Sequence, residues 1–280
     1  MIRAIAIYDE MDSQIFYTDF AQYALNLSLI TNSLFEMKET VGKRLEDITI
    51  GRYRLGVLFE PEYTVLILAD RTNRTQEIEE FILSLNIKIK EMFGENVSRE
   101  TFQDEELKDR FLDELEKLIG KIPVKITFVG SGGVGKTTMV RLLARGIITE
   151  EYTPTIFADV EHIDVLIPPF TISLFTVAGQ ERYRKTWDIV SEATDIVVLV
   201  LDSTKSNLKE TREVIYPRIR QLAPYARYVA IANKQDLPEA LPPAIIEEEI
   251  GLPTYGMIAI REDARERLSM IIKQIITTIP

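Results

Sequence analysis

The amino-acid sequence predicts an α/β protein in two parts: a smaller α+β domain, then a larger domain built on a mostly parallel sheet with helices on both faces. Three observations carry this. Two strand-like stretches come before any helical one. A short apolar strand, Val124 to Val129, runs directly into a glycine-rich loop and then a helix. Charge is also uneven: residues 1–120 carry 14 Lys+Arg against 24 Asp+Glu, and residues 121–280 carry 19 against 20.

In order, Ile2 to Tyr8 alternates apolar and small residues, and 14–20 alternates again after the turn-like Asp12-Ser13. From 20 to about 39, Tyr23, Leu27, Ile30, Leu34 and Met37 recur at helical spacing. Strands are expected at 47–53, 55–60 and 63–70. Thr75 is expected to cap a helix with Ile78, Phe81, Ile82, Leu85 and Ile89 on its inner face. A further helix, 104–119, carries Leu107, Phe111, Leu115 and Leu118. Charged residues at 103–108 and the helix-breaking Gly120-Lys121-Ile122-Pro123 place a boundary within 94–123. The expected division is a domain at 1–95, an acidic helical linker at 96–122 and a second domain at 123–280.

The 280 residues are 46% apolar and 28% charged, the balance of a soluble globular chain. The longest apolar run, Ile196 to Leu201, is too short to cross a bilayer. The opening residues lack the plan of a signal peptide, so a cytoplasmic location is expected. With no cysteine, disulfides, thiolate metal sites, prenylation and palmitoylation are excluded. Ile2 in place of glycine excludes N-myristoylation, so no direct lipid anchor is expected. A net charge of −11, concentrated in the first part, argues against nucleic acid as a partner.

The loop after Val129 reads Gly130-Ser131-Gly132-Gly133-Val134-Gly135-Lys136-Thr137-Thr138. This is G-x-x-x-x-G-K-[ST] between a strand and a helix, the context that a phosphate-binding loop needs. Its glycines let backbone N–H groups wrap phosphate oxygens, and the helix N-terminus adds partial positive charge. Lys136 is expected to reach the β- and γ-phosphates, and the Thr137 hydroxyl to coordinate Mg²⁺.

A phosphate loop does not choose the base. The strand 228–232 ends in Asn233-Lys234-Gln235-Asp236. A carboxylate there accepts from guanine's ring N–H and its exocyclic amine, whereas adenine offers an acceptor and no amine, so GTP and GDP are expected over ATP. This loop resembles the guanine-reading motif of small GTPases. The phosphate loop, base loop and two further segments together resemble the Ras superfamily and its P-loop G domain. The resemblance implies that Asn233 braces the base loop, that the Lys234 stem covers the base and that Ala259, on an expected strand at 257–260, offers its N–H to guanine.

Tyr152-Thr153-Pro154-Thr155-Ile156 resembles switch I, which implies that Thr155 ligates Mg²⁺ and Tyr152 closes over the γ-phosphate. Residues 175–184, with Ala178-Gly179-Gln180-Glu181, resemble switch II, which implies a Gly179 N–H on the γ-phosphate and Gln180 orienting the attacking water. Thr176 stands where the superfamily has aspartate. Bacterial polarity GTPases of the MglA type share that threonine, so the chain resembles this Arf-like prokaryotic branch. The implied activity is GTP hydrolysis to GDP, at ~10⁻⁴–10⁻² s⁻¹ without a partner's arginine. The implied partners are effectors, an activating protein and an exchange factor. A GTP-binding scaffold without useful hydrolysis and a protein-targeting receptor GTPase are the alternatives.

The element order of 1–95, with its opening hairpin and five strands, resembles a longin (profilin-like) domain, with a roadblock domain as the competitor. Such a domain is expected to localise the chain or dock partners, allowing a peripheral association with membrane through a partner. His162, between the switches, is read as an ordinary strand residue, and Trp187 as packing under switch II.

Overall fold

The computed structural model describes residues 1–23, 25–38, 45–94, 97–144, 155–157, 160–168, 170–177 and 194–278. At 28–29, 37–38, 144, 155–157, 160–164 and 177 it describes the backbone alone. The described chain divides into two compact units, Met1–Ile122 with Thr277–Pro280, and Pro123–Ile276.

The first unit is a five-stranded antiparallel sheet in the order β2-β1-β5-β4-β3. Its strands are β1 (Ile2–Asp9), β2 (Gln14–Asp19), β3 (Leu45–Ile50), β4 (Tyr53–Phe59) and β5 (Tyr63–Asp70). The β1–β2 turn is held by Asp9, whose Oδ1 accepts from the N–H groups of Met11 at 3.0 Å and Ser13 at 2.8 Å. The central strand β5 is buried along its whole length, which requires cover on both faces. Helix α2 (Thr75–Phe93) supplies one cover through Ile78, Phe81, Ile82, Leu85 and Ile89, the residues its periodicity selected. A Cβ at Gly56 on β4 would lie 2.6 Å from Ile78 Cγ2, so a side chain there would push this helix off the sheet.

Two local expectations are corrected. The helix expected at 20–39 is α1, Ser28–Lys38. Tyr23, counted as its first inner residue, instead shares a hydroxyl hydrogen bond with Tyr17 of β2 ahead of the helix. Thr75 is the first residue of α2 and not its cap; its hydroxyl donates to Asp47 Oδ2 at 2.8 Å, and Glu77 accepts from the Arg74 N–H at 3.1 Å. Helix α3 (Glu105–Ile119) begins after Asp104, whose carboxylate accepts from the Leu107 N–H. Phe111 of α3 meets Phe16, Phe93 and Phe102 with ring centroids 5.1, 5.2 and 5.6 Å away, so this helix is packed into the core of the first unit.

The second unit is the expected mostly parallel sheet, seven strands in the order β12-β11-β10-β6-β9-β8-β7. Strands β6 (Val124–Val129), β9 (Phe170–Val177), β10 (Ile196–Leu201), β11 (Arg227–Ala232) and β12 (Thr254–Gly256) run parallel. Strands β7 (Thr155–Phe157) and β8 (Val160–Ile167) close one edge antiparallel. All six residues of β10 are fully buried, as a central strand with both faces covered must be.

One cover comes from α5 (Lys205–Glu210), the π-helical turn Thr211–Ile215, α6 (Tyr216–Leu222) and α7 (Pro243–Ile250). Their Leu208, Ile215, Ile219 and Ile246 pack with Val197, Leu199 and Leu201. Helix α4 (Lys136–Ala144) follows β6, and α8 (Ala264–Thr278) carries the chain to the end of this unit at Ile276. The strand expected at 257–260 is corrected to β12, three residues earlier. Met257 still donates its N–H to the Ala232 carbonyl of β11 at 2.9 Å, and its own carbonyl accepts from the Gln235 N–H at 3.2 Å as the strand ends.

Candidate functional site

The phosphate loop leaves the carboxyl end of β6 and turns into the first residue of α4, Lys136. Two of its glycines are required by geometry. A Cβ at Gly130 would lie 2.1 Å from the Val200 carbonyl oxygen of β10. Gly135 has φ +107°, and its Cβ would lie 2.3 Å from Asn233 Nδ2. Gly132 and Gly133, the latter at φ +75°, have open space where a Cβ would be, so the loop tip is bare backbone.

Lys136 folds back across the loop, its Nζ donating to the carbonyls of Gly130 and Ser131, both at 2.8 Å. Burial pulls its ammonium from the ordinary lysine value down to about 8. Among the described residues no ion pair is recorded for this amine, so an anion at the loop would relieve that cost. Val134 is buried, Thr137 is half-buried on the first turn of α4, and Thr138 is exposed.

The base loop leaves the carboxyl end of β11, two strands away from β6. Asn233 is 3% exposed and joins three segments. Its Nδ2 donates to the Val134 carbonyl at 2.8 Å, and its Oδ1 accepts the Ala259 N–H at 3.0 Å. One amide thus ties the phosphate loop, the base loop and the loop after β12. Ala259, expected to offer its N–H to a base, here spends it on Asn233. Lys234 takes the left-handed φ of 58°, which turns the chain so that Asp236 stands exposed beyond it.

Residues that sequence reasoning did not single out build this loop. Ser203 Oγ donates to the Asn233 carbonyl at 2.6 Å and accepts from Gln235 Nε2 at 2.7 Å. Arg267 of α8 donates through Nε and Nη2 to the Gly256 carbonyl at 3.0 and 2.8 Å. A cleft flanked by Gln235, Gly256, Met257, Arg261 and Arg267 borders the loop.

Thr155 begins edge strand β7, its backbone paired with His162 of β8. Thr176 of β9 is buried at 4% exposure and paired with Phe128 of β6. Tyr152, Gly179, Gln180 and Trp187 lie outside the described residues.

A parallel sheet with a glycine-rich loop at one strand end and a second loop pinned to it defines a P-loop nucleotide-binding fold. The model of the ADP-ribosylation factor family matches residues 111–276. Among similar proteins is ADP-ribosylation factor-like protein 5 of Caenorhabditis elegans, 34% identical over 142 residues, covering 49% of this chain and 75% of that protein. The chain belongs to the ADP-ribosylation factor family of small GTPases.

Proposed function

We propose that the chain is a regulatory GTPase that binds GTP and GDP with Mg²⁺, hydrolyses GTP slowly and changes its protein partners with the nucleotide. The observation that carries this is the Asn233 side chain, which holds the phosphate loop and the base loop in one register. Gly130 to Thr138 would cradle the phosphates, with Lys136 supplying the charge, while Asp236 would read guanine beside Lys234 and the Ala259 segment. Thr137 and Thr155 hydroxyls suit a hard cation, and the half-buried Thr137 is on the helix turn that follows the loop. Magnesium held there would neutralise charge on the β- and γ-phosphates.

Gln180 is the residue proposed to orient water, with Tyr152 and Gly179 contacting the γ-phosphate. The buried Thr176 brings no charge toward a cation, so magnesium affinity is expected to be lower than with aspartate. Effectors, an activating protein and an exchange factor are the proposed partners.

We read the first unit as a longin-like domain, since its hairpin opening and five-stranded antiparallel sheet agree with that order. It would localise the chain, including to a membrane surface through a partner. No helix among the described residues is long and apolar enough to cross a membrane.

The test is single-turnover GTP hydrolysis by wild type and Gln180→Leu. The expected result is slow turnover that the substitution abolishes, with nucleotide binding retained. No turnover by either protein would leave a GTP-binding scaffold in its place, and equal measurable rates would remove the role given to Gln180. Full GTP affinity in excess chelator would remove the roles given to Thr137 and Thr155.

A further inference from the structure

We propose that Glu210 is a positioning residue that braces the phosphate loop through Ser131 and so slows release of a bound nucleoside diphosphate; this rests on the nucleotide reading above. Ser131 stands where two constraints cross. Its carbonyl accepts from Lys136 Nζ, and its hydroxyl donates to Glu210 Oε2 at 2.8 Å. Ser131 is 8% exposed while Glu210 is exposed, so the bond is partly buried from the loop side.

The arm that delivers the carboxylate is itself fixed. Asp202, just past β10, accepts from the Thr204 N–H at 3.1 Å and its Oγ1 at 2.7 Å. Thr204 caps α5 by accepting the Asn207 N–H, and Asn207 Oδ1 accepts the Asp202 N–H at 3.1 Å. Glu210 ends α5, and the next residue opens the π-helical turn, in which the Tyr216 N–H donates to the Thr211 carbonyl. Such a turn inserts a residue and re-aims the helix face around it, a device frequent at functional sites. Thr211 is fully buried, and among the described residues its Oγ1 has no hydrogen-bond partner, a cost borne directly beside Glu210.

A loop with glycine at 130, 132, 133 and 135 has much backbone freedom to lose on closing around phosphates. Fixing Ser131 beforehand removes part of that cost. The carboxylate's repulsion of the phosphates acts in the opposite direction. Because Glu210 is exposed, that repulsion is screened, whereas the hydrogen bond is direct.

The test measures displacement of a fluorescent GDP analogue from the full chain with Mg²⁺ by excess GDP. Glu210→Ala and Ser131→Ala should each speed release by about five- to tenfold. Glu210→Gln, which keeps an acceptor, should stay within about twofold of wild type. The double alanine variant should release no faster than the faster single one. Release from Glu210→Ala at or below the wild-type rate, Glu210→Gln behaving like Glu210→Ala, or single effects that multiply would each overturn the proposal. Should Glu210→Ala fail to fold, Ser131→Ala removes the same bond from its other end, and release from it at the wild-type rate would overturn the proposal. Failure of wild type to bind GDP would overturn the nucleotide reading itself.

Discussion

Replacing Asn233 with alanine removes the donor to Val134 O and the acceptor of the Ala259 N–H at once. Both partners remain in the interior, where an unsatisfied backbone group costs about 1–3 kcal/mol. The two losses share one side chain and are not additive, so the expected destabilisation is about 3 kcal/mol. Urea unfolding followed by circular dichroism reads the change. The midpoint should fall with an unchanged slope. Asn233→Asp keeps an acceptor for Ala259 but sets a carboxylate against the Val134 carbonyl, and should cost at least as much. A change below about 0.5 kcal/mol for the alanine variant would refute the three-way tie, since that is the size of an ordinary surface substitution.

Gly130→Ala should cost more than about 4 kcal/mol or prevent folding of the second unit, because its Cβ would meet a backbone oxygen at 2.1 Å. Gly132→Ala, with open space around its Cβ, should melt close to wild type, and calorimetry distinguishes the two. Lys136 loses its proton near 8 in the folded chain but only near 10.5 unfolded, so the unfolded state binds more protons between those values. Stability should therefore rise with pH across that window, the penalty of about 3 kcal/mol being fully present below it. GDP affinity should move oppositely, falling up to about tenfold per unit above pH 8 as the ammonium is lost; a flat profile in calorimetric titration would contradict this. Asp236→Ala should erase the preference for GDP over IDP, which lacks the exocyclic amine, and paired titrations with the two nucleotides would show it.

The phosphate loop was legible because strand, glycines, lysine and helix stand together in the chain, and the structure keeps that order from Val124 to Ala144. The apolar run Ile196 to Leu201, read from the sequence only as too short to cross a bilayer, is the central strand β10. Legibility failed where local pattern and tertiary pairing disagree. Met257 to Ile260 is apolar enough for a strand, yet pairing with β11 selects Thr254–Gly256, and Ile260 is left 82% exposed. Tyr23 fits a helical period, but its hydroxyl bond to Tyr17 takes it out of α1. The Ser131–Glu210 bond spans 79 residues and ends on the helix residue just before a π-helical turn that no periodicity announces.

The central claim, that these two loops form one guanine-nucleotide site, is tested most directly by calorimetric titration of the full chain with GDP and with ADP in Mg²⁺. GDP should bind at one site at least 1,000-fold more tightly than ADP, an estimate of roughly 4 kcal/mol from the unpaired Asp236 carboxylate and the lost base contacts. Equal affinity for the two nucleotides, or heat from neither, would contradict it.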